Sequence, residues 1–187
     1  MLNGIDVDAL KNITNQVTNN PQQGMTSWGV TTTWQGGTRS DTQINAFSVG
    51  GETVKRNFNL KVDEPTEFLG TNQFANPQDY LLTALNACII VGYATLCAAE
   101  GIKIDTLRIE TTGDINLRGF LGIDPSVKNG YDTIKFTVFI TGDATAEQFQ
   151  KIHEKVKASS PNLFNLANPI NFETSLIVKM ADRPLPH

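Results

Sequence analysis

Two periods of apolar recurrence alternate along this chain. Near the start, Ile5, Leu10, Ile13 and Val17 fall close to helical spacing and predict a short helix over 5–18. Pro21 and Gly24 in "NNPQQGM" end it. The pattern then turns strand-like. Residues 27–35, "SWGVTTTWQ", are rich in Thr, Val and Trp, and a Gly-Gly turn at 36–37 leads into 39–48. A second turn, "VGG" at 49–51, precedes 52–62, where Val54, Phe58, Leu60 and Val62 mostly alternate with polar residues. These segments predict a three-stranded antiparallel meander.

After a long loop the helical period returns. Asn76 is a good N-cap, Pro77 suits the first helical position, and Asp79 sits in the first turn, where the dipole favours an anion. The predicted helix runs to Glu100 and stops at Gly101. At 1.5 Å per residue it is about 36 Å long. It is apolar on most of its circumference, which marks it as the central helix. Strands are then expected over 102–118 and 131–141. A second helix starts at Asp143 or Thr145 and stops at Pro161, a short turn or helix follows, and 170–180 closes the chain as a strand. The order α-βββ-α-ββ-α-β is an α+β arrangement, not a βαβ repeat. The expected organisation is an N-terminal helical extension, 1–24, on a single domain, 25–187.

Composition narrows the function classes. The chain has 187 residues, 40% hydrophobic and 18% charged, which supports a globular core. A formal net charge of −4 and the lack of a basic run argue against a nucleic-acid footprint or a membrane-surface helix. The longest apolar run, Ala87 to Ala99, is about 13 residues, short of the roughly 20 that a membrane span needs. The first residues lack the basic-then-apolar pattern of a signal peptide. Two cysteines fit a reducing compartment better than a disulfide scaffold, so the cytoplasm is expected.

The chain carries no P-loop, GxGxxG, GxSxG or metal-ligand cluster, and neither a metal nor a cofactor is expected. His153, in a charged helical stretch, and His187, at the C-terminus, read as surface residues. That leaves two thiols on the apolar helix. Cys88 and Cys97 are nine residues apart, so they point to nearly opposite faces and are about 13 Å apart along the axis. They cannot pair while the helix is intact, because bonded cysteines have Cα atoms within about 7 Å. Cys88 has small Ala87 and polar Asn86 beside it, so other groups can approach it closely. It lies about three turns into the helix, too far for the N-terminal dipole, so a thiolate there needs an Arg or Lys from elsewhere.

"NPQDYLLTALNAC" at 76–88 resembles the Asn-Pro-Glu…Ala-Cys segment of the OsmC/Ohr family, the osmotically inducible and organic hydroperoxide resistance proteins. "AAEGIKIDTLRIETTGDINLRGFLG" at 98–122 and "VKASSPNLFNLANPI" at 156–170 resemble its next segments. The resemblance covers roughly 27–180. It implies an OsmC-like fold and an intertwined homodimer in which antiparallel sheets wrap two long helices. It also implies thiol-dependent reduction of peroxides, organic hydroperoxides above all, in oxidative-stress defence, with an external thiol or dithiol as reductant.

Carried over by residue, Cys88 matches the peroxidatic cysteine. Ser160 stands where many members have the second cysteine, and Gln78 where many have Glu, with Asp79 beside it as another carboxylate. Arg39 is most similar in position to the arginine that holds the thiolate; Arg56 competes with it. Phe68, Phe74, Phe120 and Phe164 are candidates for an organic-substrate pocket. Serine forms no disulfide, so the sulfenic acid is left to an external thiol or to Cys97 of another subunit. The alternative is a non-enzymatic dimer that keeps the fold and binds a small ligand or thiol.

Overall fold

The computed structural model of the protein describes residues 1–178. Helix α1, Val7–Asn19, begins at an Asp6 N-cap and gives way to a single 3-10 turn, Pro21–Gly24. The stretch expected as one strand over 27–35 is two, β1 (Thr26–Trp28) and β2 (Thr31–Trp34), separated at Gly29-Val30. A glycine inside a strand pattern weakens the ladder, and here the chain steps along its neighbour instead of continuing. Both pieces pair antiparallel with β3 (Ser40–Val49), with Thr26 opposite Val49 and Thr31 opposite Gln43. On its other side β3 pairs with β4 (Glu52–Val62), with a register shift between Ile44 and Ala46. The meander is therefore present, with β3 at its centre.

Helix α2, Pro77–Ala99, opens with a capping box. The Asp79 N–H donates to Asn76 Oδ1 at 2.8 Å and the Asn76 N–H to Asp79 Oδ2 at 3.0 Å. By length and apolar composition α2 would qualify as a membrane span. Its packing identifies it as a core helix. Leu85, Ile89, Tyr93 and Cys97, each a turn apart, are buried against Ile152 and Val156 of α4 (Ala146–Ser159). Gly92 permits this approach, since a Cβ there would lie 3.1 Å from Val156 Cγ1. The inward residues of an antiparallel hairpin, β5 (Ile104–Gly113) and β6 (Ile134–Gly142), complete this core, Leu107 and Ile109 from one strand and Phe136, Val138 and Ile140 from the other.

Three expected boundaries move. The strand over 102–118 stops at Gly113, because Asn116 caps a helical turn, α3 (Leu117–Phe120). The strand over 131–141 begins at Ile134. The closing strand over 170–180 does not form in its described part. Residues 170–178 are irregular and exposed, with Phe172 at 84%. Alternation is only half of a strand; the other half is a neighbouring backbone, and among the described residues β6 pairs with β5 alone. Residues 179–180, and His187, lie outside the described residues. A short helix, α5 (Pro161–Ala167), precedes that segment.

Within the chain, α2 packs on α4, β5 and α5, with α1 near its C-terminal half; the four-stranded sheet is not among its main neighbours. Both faces of that sheet stay open, Trp34 being 73% exposed. The opposite side of α2 is open too, along Ala84, Ala87, Ile90 and Val91.

Candidate active site at Cys88

Two side-chain bonds fix the α2 turn that carries Cys88. Thr111 Oγ1, on β5, donates to Asn86 Oδ1 at 2.5 Å, and Asn162 Nδ2, on α5, donates to the Ala84 carbonyl at 2.8 Å. Cys88 itself is half-buried, at the border between the packed and open sides of the helix. Its Sγ lies 3.3 Å from Ser160 Oγ. Ser160 is 5% exposed and sits at a helix junction. It ends α4, where its N–H donates to the Val156 carbonyl at 2.9 Å, and it caps α5, where its Oγ accepts the Leu163 N–H at 3.3 Å. Because Oγ accepts from Leu163, its own proton can be directed at a sulfur anion or at an oxygen bonded to that sulfur.

The structure therefore brings together Cys88 and Ser160, 72 residues apart in sequence. The other candidates stay apart within the chain. Arg39 is exposed in the β2–β3 turn, its Nη2 donating to the Gln35 carbonyl at 3.4 Å. Arg56 is half-buried on β4, with its guanidinium 4.8 Å from the Phe58 ring centroid and 5.7 Å from that of Phe47. Gln78 is exposed on the first turn of α2, about 15 Å along the axis from Cys88. Asp79 is occupied in the capping box. Phe68, Phe74, Phe120 and Phe164 stand exposed in the 3-10 turn before α2, the following loop, α3 and α5. Cys97 is fully buried; burial first, then the charges of Glu100 and Asp143, push its thiol up, so it stays protonated as a core residue.

Two polar clusters were not foreseen from the sequence. Asp63 is fully buried, and its carboxylate accepts from Thr71 Oγ1 at 2.5 Å, Thr38 Oγ1 at 2.8 Å, and the Thr71 and Gln73 N–H groups at 3.1 and 3.2 Å. These bonds, Thr71 foremost, hold it well below the usual carboxylate range in spite of burial. Asp63 thus ties the Arg39 turn, through Thr38, to the loop that leads into α2. The second cluster corrects the surface reading of His153. It is half-buried, and its Nδ1 lies 2.5 Å from the hydroxyl of buried Tyr93. Burial first, then coupling to the neighbouring Cys97 and Glu154 groups, pushes Tyr93 up to about 12, so the phenol keeps its proton. No sequence motif marks either cluster, since each joins isolated residues from separate elements.

The family model for OsmC-like protein matches residues 70–175. The chain belongs to the OsmC-like family. Among solved structures, this OsmC-like chain is similar in fold to an OsmC-like protein of Mycoplasma pneumoniae, with 17% identity and a TM-score of 0.59 over 75% of this chain and 87% of that one. It is similar to an organic hydroperoxide resistance protein OsmC from Legionella pneumophila, with 12% identity and a TM-score of 0.50 over 75% and 88%. A protein of Vibrio cholerae, described as OsmC-like and of unknown function, aligns with 11% identity and a TM-score of 0.55 over 75% and 93%. Comparison with curated proteins gives no match.

Proposed function

We propose that this OsmC-like protein reduces organic hydroperoxides through Cys88 alone, with an external thiol completing the cycle. The observation that carries the reading is the 3.3 Å contact between Cys88 Sγ and Ser160 Oγ. The Cys88 thiolate attacks the distal peroxide oxygen. The O–O bond breaks, the sulfur becomes sulfenic acid, and the alkoxide leaves and takes a proton to become an alcohol. Ser160 donates to the sulfur as thiolate and to its oxygen as sulfenic acid, but it supplies no second sulfur. An external thiol therefore attacks the sulfenic acid, releasing water and forming a mixed disulfide. A second equivalent of thiol restores Cys88 and leaves as the oxidised disulfide. Such a cycle suits the reducing cytoplasm.

The cation that favours the thiolate is supplied, in this reading, by a second copy. The open side of α2 exposes Ile90 and Val91, and the four-stranded sheet exposes Trp28, Trp34, Val54 and Phe58. A homodimer that laid one on the other would carry Arg39 or Arg56 of one copy toward Cys88 of its mate. The alternative, a dimer that binds a small ligand without reducing it, draws on Ser160 in the thiol's place and on the separation of both arginines from Cys88 within one chain.

The test exposes the reduced protein to one equivalent of cumene hydroperoxide, and separately to hydrogen peroxide, with the Cys88→Ser variant alongside. Mass spectrometry follows each cysteine. Stoichiometric sulfenic acid at Cys88, formed faster with the organic peroxide while Cys97 stays reduced, is the expected result. Oxidation of Cys88 no faster than that of a free thiol would leave the binding dimer as the better reading.

A further inference from the structure

The first 24 residues take no part in the chemistry above. Val7, Leu10 and Val17 make an apolar stripe on α1, yet no residue of that helix is fully buried. The helix is held near its ends. Before it, Asn3 Nδ2 donates to the Ile102 carbonyl at 2.9 Å, and the Ile104 N–H donates to Asn3 Oδ1 at 2.9 Å. After it, the Gly50 N–H donates to the Met25 carbonyl at 2.9 Å. Between these ties a gap of about 450 Å³ separates α1 from the C-terminal half of α2. A volume of this order is typical of small-ligand sites, about 300–1,000 Å³.

The lining decides the chemistry. Val7 and Leu10 form the apolar part of one wall and Leu96 and Ala99 that of the other; Thr14, Asn15 and Thr95 add neutral polar groups, and Lys11 is the single charged residue on the lining. Lys11 is exposed and makes no ion pair among the described residues. An aliphatic strip between Leu10 and Leu96, bordered by neutral polar groups and one cation, complements a single hydrocarbon chain that ends in an anion. We propose that the gap between α1 and α2 binds a medium-chain aliphatic carboxylate, its hydrocarbon between Leu10 and Leu96 and its carboxylate on Lys11. The site stands apart from Cys88, since Thr95 on its wall lies about 10 Å further along α2. It therefore does not depend on the peroxide reading.

Calorimetric titration of the full chain with decanoate, and separately with decan-1-ol, tests it. The expected result is saturable binding of one decanoate per chain, tighter than the alcohol. Leu10→Trp fills the gap and abolishes both; Ala99→Leu, which adds bulk from the opposite wall, does the same if Leu10→Trp fails to fold. Lys11→Gln weakens decanoate about fivefold and leaves the alcohol unchanged, the signature of a partly exposed charge-assisted contact. Absence of saturable binding, or binding indifferent to both gap-filling variants, overturns the proposal. So does an equal loss of both probes in Lys11→Gln. A change of oligomeric mass in Leu10→Trp with decanoate binding retained assigns the gap to a second copy and overturns it as well.

Discussion

At Ser160 one hydroxyl serves two neighbours. Its oxygen accepts the Leu163 N–H in the first turn of α5 while lying against Cys88 Sγ. Ser160→Ala keeps the backbone but removes the cap, and thermal unfolding is expected to show a loss of about 1 kcal/mol. Asp63 has a pH signature. Its carboxyl is held below its unfolded value, so it contributes stability that is fully present above about pH 4 and is lost as pH falls further toward the folded value. Denaturant titrations at pH 7 and pH 3 should show Asp63→Asn less stable than the parent at pH 7, with the difference narrowing at pH 3. The link between Cys88 and position 160 came from the family resemblance, which puts each at a cysteine position, and not from the chain's own periodicity. Asp63 was not legible in the sequence, since its partners Thr38, Thr71 and Gln73 are ordinary polar residues that only folding brings together.

The elements follow local chemistry where that chemistry is complete in itself. The α2 start was readable from Asn76, Pro77 and Asp79, and the α4 start to within Asp143 or Thr145, of which Thr145 is the cap, because capping needs only residues within one turn. Where formation depends on a distant neighbour, pattern misled. Residues 170–178 alternate like a strand but have no ladder partner within the chain, and 27–35 was divided at Gly29-Val30. The α2–α4 contact is where most core stability concentrates. Ile152 is fully buried there, so Ile152→Ala should cost about 2–5 kcal/mol in chemical denaturation, while exposed Lys151→Ala should change little. Tyr93→Phe removes the hydroxyl that lies 2.5 Å from His153 Nδ1. Its expected effect is a change in the His153 ring-nitrogen chemical shifts without loss of the fold, read by NMR.

In the whole molecule, apolar surface is distributed unevenly. One side of α2 is packed and the other is open, with Val91 61% exposed. If a second copy covers that side, Val91→Glu should halve the mass measured by light scattering while leaving the far-ultraviolet circular dichroism unchanged. A parent chain that already runs as a monomer would sink the dimer. The Asn3 tie reaches across the molecule in another sense. It joins residues 99 and 101 positions apart, so Asn3 must wait for about a hundred further residues to be made before it can dock. Until Ile104 emerges, α1 lacks its Asn3 anchor, and short helices without tertiary support are marginal in water. The segment around Asn3 is thus made well before its anchor exists, and a nascent chain stalled before Ile104 should lose it to a protease that spares the finished protein.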